Sequence, residues 1–411
     1  MKLMKVTDPG AVLALIEKHF CPLELEEVDL EEAGGRCLGA PLLAGEDLPA
    51  FNRSTVDGYA VNARETFGAQ EGLPAVLECI GEVLMGQSAE NAHRPGECTL
   101  VHTGGMLPGG ADAVIMVEDT EISGKLLNCY RQVAPGENVI HRGEDIGRGE
   151  PALPAGRLLR APELGLLASL GITRAPVYRR PLIGLFSTGD ELDNDHTSPG
   201  NLLPGRVRDG NSPALAYLAA QCGAKVTFGG ILPDSFDQFL NSSRNMLTQV
   251  DFLVFSGGSS VGTRDITART IQELGQPGLL VEGVSIQPGK PTLLADCNGK
   301  PVLGLPGHPV SALIVFSLFG SAIINRLAGK KQRPWRPAVD ALLTRNIPSR
   351  SGRTDYVRVK LESANGSFLA SPVFGRSGML RTLAEADGLT IVPAEKEGLA
   401  EGDQVKVYLW D

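Results

Sequence analysis

Between residues 182 and 262, apolar runs of strand length stop abruptly on glycine-rich polar turns. Leu182 to Ser187 runs into Thr188-Gly189-Asp190-Glu191. A helical pattern follows, with Ser212 as its expected cap and Pro213 at N1, and stops at Gly223. Val226 to Phe228 supplies a second strand, and a polar helix at about 235–249 leads to Phe252 to Phe255. That run breaks into Ser256-Gly257-Gly258-Ser259-Ser260-Val261-Gly262. Strand alternating with helix predicts a parallel-type, three-layer α/β domain, taken as 176–329. Ligands of such domains sit beyond the carboxyl ends of the strands, where this chain places its polar turns.

The chain has 411 residues, enough for several domains. Residues 46–145 read as an inserted β-rich module, with strand pieces at Val76 to Val83, Cys98 to Val101 and Ala113 to Val117. Its flanks are expected to pack together, so that 1–45 and 146–175 form an N-terminal helix and a discontinuous linking domain. Asp8 as N-cap and Pro9 at N1 start that helix. After the linker Lys330 to Pro334, the alternation in Tyr356 to Leu361 and Gln404 to Leu409 predicts a C-terminal β-domain over 334–411. The uncharged stretch Pro309 to Asn325 has 17 residues with Ser311, Ser317 and Gly320 inside it, and reads as a buried helix rather than a membrane span. A net charge of −10 argues against a nucleic-acid partner. Seven cysteines without CxxC spacing suit reduced thiols, and the expected compartment is the cytoplasm.

The acids at the strand ends are Asp190, Glu191 and Asp209, with Asp265 after the glycine loop. Converging carboxylates bind a hard cation or position a water; singly, such acids cap helices or solvate loops. The Ser256–Gly262 loop can cradle an anion through amides and hydroxyls, although it matches neither a dinucleotide fingerprint nor a P-loop. Lys290, in Pro288-Gly289-Lys290-Pro291, places a cation on a stiff turn. Pro306-Gly307-His308-Pro309 offers free amides, while His308 has too few local partners for a metal site and reads equally as a cap. In the β-rich module Asp57, Thr103 and Asp145 lie in glycine turns, each as readily a turn as a site. No zincin, caspase or GxSxG pattern is present.

Read together, LPAFNRSTVDGYAV, LPGGADAVIMVED, GENVIHRGEDI, FSTGDEL, RDGNSPAL, FSGGSSVGTRD, PGKP, GLPGHPVSA, SGRTDYVRVKL and SGMLRTLAEADGL resemble, in order and over nearly the whole chain, the molybdopterin molybdenumtransferase family. That family includes the C-terminal domain of gephyrin. The resemblance implies an enzyme that takes molybdate and adenylylated molybdopterin, inserts molybdenum, and releases molybdenum cofactor and AMP with Mg²⁺. It implies a four-domain homodimer with a cleft shared between subunits. A molybdopterin adenylyltransferase and apo-molybdoenzymes are the expected protein partners, with no nucleic acid and no membrane.

Carried onto this chain, the catalytic positions are Asp57, Thr103, Asp145, Glu191, Asp209 and Asp265, with Asp57, Glu191, Asp209 and Asp265 as metal ligands. Substrate would meet Ser187, Thr188 and Gly189, then Ser256, Gly257, Gly258, Ser259 and Gly262. It would also meet Lys290, Pro306, Gly307, His308, Arg353, Arg376 and Ser377. The chain departs from the family pattern at Gln287, where Lys is common, and at His308, where Asn is common. It departs also at Gly210, Ser259, Asn52 and Val56. These departures leave open a tungsten-inserting paralogue or a non-catalytic pterin-binding or scaffold module.

Overall fold

The structure, a computed structural model, describes residues 6–90, 92–193, 202–257, 261–330, 336–364 and 366–410, the side chains of 261–265 excepted. The chain forms two compact units. One comprises Val28–Gly34 and Ala40–Ala175; the other comprises the chain up to Glu27, Gly35–Gly39 and the chain from Pro176 on.

The second unit contains a six-stranded sheet in the order Lys225–Leu232, Leu182–Thr188, Phe252–Gly257, Lys300–Leu305, Leu293–Cys297, Pro277–Glu282. The first four are parallel, as the strand–helix alternation predicts. Leu293–Cys297 runs antiparallel to both of its neighbours, Lys300–Leu305 and Pro277–Glu282, so the sheet is mixed. A hairpin turn at Asn298-Gly299, both with positive φ, produces the reversal. Phe252, Leu253, Val254 and Phe255 are all fully buried, because both faces of the central strand are covered. Phe252 and Val254 join a core with Leu185, Leu303 and helix Pro309–Val315, whereas Leu253 and Phe255 join another with Phe239 and Ile271. Alternation along the strand therefore divides its residues between the two layers of helix.

The apolar stretch from Pro309 to Leu327 is helical, with a π-helical segment at Phe316–Gly320. It is long and apolar enough to cross a membrane, yet 78% of its apolar window is buried inside the protein, which makes it a core helix. Helix Pro9–His19 is capped by Asp8, whose Oδ1 accepts from the amides of Gly10 (2.8 Å) and Ala11 (3.2 Å). Its Val12 and Ile16 enter the α/β core, so this helix belongs there and not with the linking region.

The same unit ends in a β-structure in which Thr354–Ala364, Ser367–Pro372, Ala338–Leu343, Gln404–Leu409 and Gly388–Val392 pair in turn. Gly388–Val392 pairs back onto Thr354–Ala364, closing the sheet around Val359, Ala370, Val405 and Val407. Ile286–Gln287 adds to its edge, parallel to Thr354 and Asp355, and brings the turn bearing Lys290 alongside.

The first unit holds another six-stranded sheet, centred on Gly58–Val61, Glu97–Val101 and Ala75–Val83, with Tyr59, Val61, Cys98, Ile115 and Leu127 in its core. Gly58 lies so close to the neighbouring strand that a Cβ would fall 2.1 Å from the carbonyl oxygen of Ile115. Only glycine fits, and Asp57 is thereby held at the strand entrance. Leu42–Leu43 pairs with Pro151–Leu153, while Ala44, Ile146 and Leu170 share a small core.

Candidate active site

Three parallel strand ends are tied together by side chains. Asp209 is almost fully buried, and its Oδ2 accepts from the hydroxyls of Ser187 (2.5 Å) and Ser212 (2.6 Å). Its Oδ1 accepts from the amides of Asn211 (3.0 Å) and Ser212 (3.1 Å), at the start of helix Asn211–Gln221. The expected cap, Ser212, is thus inside the helix, and Asp209 does the capping because its longer reach satisfies two free amides at once. The Asn211 side chain donates to Ser256 Oγ (3.0 Å) and to the Gly307 carbonyl (3.1 Å). Gly257 comes so near Thr188 that a Cβ would lie 2.3 Å from its carbonyl oxygen. The buried Oγ1 of Thr188 has no hydrogen-bond partner among the described residues. An unmet hydroxyl at a strand end is a ready contact for a polar ligand.

Glu191 is exposed, with its carboxylate folded against Gly189. Gly258 and Ser259 lie outside the described residues, as does the linker Lys331 to Pro334. Gly262 and Asp265 fall within helix Val261–Leu274, but the carboxylate of Asp265 is outside the described side chains.

A cavity of about 1160 Å³ opens between the Lys290 turn and the C-terminal β-structure. Its lining includes Lys290, Pro306, His308, Arg353, Arg376 and Ser377, all singled out in the sequence. It adds Arg350 and Arg358, which sequence reasoning missed. Arg353 is paired with Asp355 (Nε to Oδ1, 2.9 Å), the one carboxylate in the described lining. Arg358 donates to two neutral acceptors, Thr382 Oγ1 (2.6 Å) and the Gly375 carbonyl (2.8 Å), so its charge is fixed in place but not cancelled. Burial pushes its pKa down. Lys290, Arg350 and Arg376 make no side-chain hydrogen bond or ion pair among the described residues. Such a wall attracts anions, and its strongest bonds would be charge-assisted.

In the other unit, Asp57 Oδ1 accepts from the amide (2.8 Å) and hydroxyl (3.2 Å) of Thr103. The amide bond from Thr103 is the main reason its carboxyl is held below the usual range. His102 was not anticipated, although it directly precedes Thr103. Its Nε2 lies 2.6 Å from Glu82 Oε1 and its Nδ1 lies 3.7 Å from Asp57, and Glu82 raises its pKa. Arg53–Ser54 pairs with Val139–Ile140, and Ser54 exchanges backbone bonds with Gly104 and Gly105. Asn52 Oδ1 accepts from the Arg142 amide. Three separate sequence blocks therefore form one patch, while Asp145 is exposed and tied by its own amide to the Leu48 carbonyl.

Known proteins are similar to this chain along nearly its whole length. Family models match at residues 9–171 (MoeA N-terminal region, domain I and II), 184–326 (Probable molybdopterin binding domain) and 340–410 (MoeA C-terminal region, domain IV). The molybdopterin molybdenumtransferase of Bacillus subtilis is 32% identical over 391 residues, covering 94% of this chain and 90% of its own length. The chain belongs to the molybdopterin molybdenumtransferase family. Nostoc sp. has a relative of the same name, 31% identical over 96% of this chain and 91% of its own. A molybdopterin biosynthesis MoeA protein of Pyrococcus horikoshii is similar in structure, with a TM-score of 0.85, 30% identity and coverage of 99% and 100% of the two chains.

Within the family frame, the acids expected to hold a metal have unequal standing. No group of three or more His, Cys, Asp or Glu side chains suited to a cation occurs among the described residues. Both oxygens of Asp209 are engaged by protein donors, leaving it little to offer a cation. Asp57 belongs to one unit and Glu191 and Asp209 to the other. The described residues alone do not make a magnesium cage.

Proposed function

We propose that this chain inserts molybdenum from molybdate into molybdopterin, taking the adenylylated pterin and releasing AMP. The observation that carries the reading is the cleft beside the strand ends, where Lys290, Arg350, Arg358 and Arg376 present cationic charge without carboxylate partners. Molybdate is a tetrahedral dianion and the adenylylated pterin carries a pyrophosphate, so both substrates need this kind of surface. Fixed cations also stabilise the charge that grows as the phosphoanhydride breaks. Asp209 acts as a positioning residue, because it orients Ser187, Ser212 and the helix start.

A homodimer in the cytoplasm, acting between a molybdopterin adenylyltransferase and apo-molybdoenzymes, completes the proposal. Magnesium dependence is part of it as well. Purified protein is mixed with adenylylated molybdopterin, with and without molybdate, and AMP is followed; a parallel sample contains EDTA. AMP that appears only with molybdate supports the reading. No release from folded protein at any molybdate concentration favours the non-catalytic alternative, and release unaffected by EDTA removes the magnesium requirement. Sedimentation equilibrium tests the dimer: a mass that stays near 43.5 kDa rejects it.

A further inference from the structure

His308 is the one imidazole in the described lining of the cleft, and the structure fixes it on one side only. Its Nδ1 lies 2.8 Å from Ser377 Oγ. The loop carrying Ser377 is itself anchored twice, by Arg358 donating to the Gly375 carbonyl (2.8 Å) and by the Val310 amide donating to the Ser377 carbonyl (3.1 Å). The serine hydroxyl is thereby held against the ring. Nε2 makes no hydrogen bond among the described residues. When Ser377 donates to Nδ1, the neutral ring carries its proton on Nε2; when the ring is protonated, both nitrogens carry one. An anion in the cleft selects these two states, since both offer it an N–H.

We propose that His308 is an oxyanion-binding residue of this cleft, supplying a tetrahedral oxyanion with a donor that strengthens when the ring gains a proton. The proposal rests on the reading of the cleft as the oxyanion site. The charged and titratable groups that line the cleft with His308 are Lys290 from its turn, Arg350, Arg353, Asp355, Tyr356 and Arg358 from the turn and strand of the C-terminal β-structure, and Arg376 from the loop. Lysine and arginine ordinarily titrate above this window and carboxylates below it. Burial pushes Tyr356 up to about 12. Histidine is the residue type whose ordinary change of charge falls between pH 5 and 8. The sign follows: a bound dianion favours the protonated ring, so affinity rises as pH falls.

Calorimetric titration with molybdate and with sulfate, at constant ionic strength and at pH 5.5 and 8, tests this. The wild-type protein is expected to bind about tenfold more tightly at pH 5.5, the gain of one charge-assisted bond. His308→Asn should be flat to within about twofold. His308→Gln, which keeps a neutral donor, should match wild type at pH 8 yet lose the slope. A wild-type slope in both variants, with binding still lost in Lys290→Ala, overturns the role of His308 alone. Wild-type protein that binds neither oxyanion, or Lys290→Ala that binds as well as wild type, overturns the cleft reading and this proposal with it.

Discussion

Asp209 and Lys290 both come from short polar turns, but they have opposite surroundings. Asp209 is buried, and both of its oxygens accept bonds from serine hydroxyls or helix amides. Lys290 is exposed to a cavity of about 1160 Å³ with no side-chain partner among the described residues. A charge whose bonds are all made within the protein holds structure together. A charge left without partners at the mouth of a cleft is available to a ligand, and the surrounding fold maintains it at a cost in self-repulsion. Residue type alone does not separate the two roles; the number of bonds already made does.

The largest effect should come from breaking the satisfied side. Asp209→Ala takes the acceptor from two amides and from one of the Ser187 and Ser212 hydroxyls, which lie 2.7 Å apart and can bond each other only once, and a loss of about 3–4 kcal/mol in unfolding free energy is expected. Denaturant titration measures it. A variant as stable as wild type would remove Asp209 from its structural role. The open side should behave in the reverse manner. Lys290→Ala and Arg376→Ala are each expected to slow molybdate-dependent AMP release by about tenfold to a hundredfold, the value of one charge-assisted bond of about 1.5–3 kcal/mol. Their melting temperatures should stay within about 2 °C of wild type, because no described contact is lost. If either variant unfolds early while keeping its rate per folded molecule, the comparison fails.

Asp57 lies between these extremes, exposed yet bonded to Thr103. Asp57→Asn preserves shape and removes charge, and about tenfold slower AMP release without a shift in melting temperature is expected. An unchanged rate would make it a turn acid only. The smallest effect concerns Glu163, a second saturated carboxylate. Its hydrogen bonds from Arg160, then from Arg157, hold it at about 2, against an ordinary value of 4.5. A depressed carboxyl stabilises the fold above its unfolded pKa and loses that contribution as pH falls through the folded value. Wild type should therefore lose more stability than Glu163→Gln between pH 5 and pH 2, by a modest amount because both arginines are half exposed. Parallel thermal melts at the two pH values decide it.

Local chemistry explains which features were legible in the sequence. Asp8 before Pro9, the continuous run Phe252 to Phe255 and the glycine turn at Gly257 each state their structure within a few residues. The Asn298-Gly299 hairpin is equally local, but the strand–helix reading passes over its asparagine–glycine pair and so expects no antiparallel strand in the sheet. Ser212 reads as the cap because it immediately precedes Pro213, whereas the carboxylate of Asp209, three residues earlier, accepts from the amides of Asn211 and Ser212. Arg350 and Arg358 could not be placed in the cleft without the closed C-terminal sheet, which aligns them with a turn some sixty residues upstream. Nor could Asp355 be known to cancel part of Arg353, or His308 to meet Ser377 across 69 residues of sequence. Those pairings depend on tertiary contacts alone. The resemblance to a family found the right blocks, while the geometry distinguishes the residues already satisfied from those still open.

The most direct measurement is anomalous diffraction from crystals soaked with tungstate, an electron-dense tetrahedral stand-in for molybdate. The expected result is a peak in the cleft whose oxyanion oxygens lie within hydrogen-bond distance of Lys290 and Arg376, absent from Lys290→Ala crystals soaked in the same way. A saturating soak that leaves the cleft empty, or a peak that persists unchanged in Lys290→Ala, would contradict the assignment of these open cations to the substrate oxyanion.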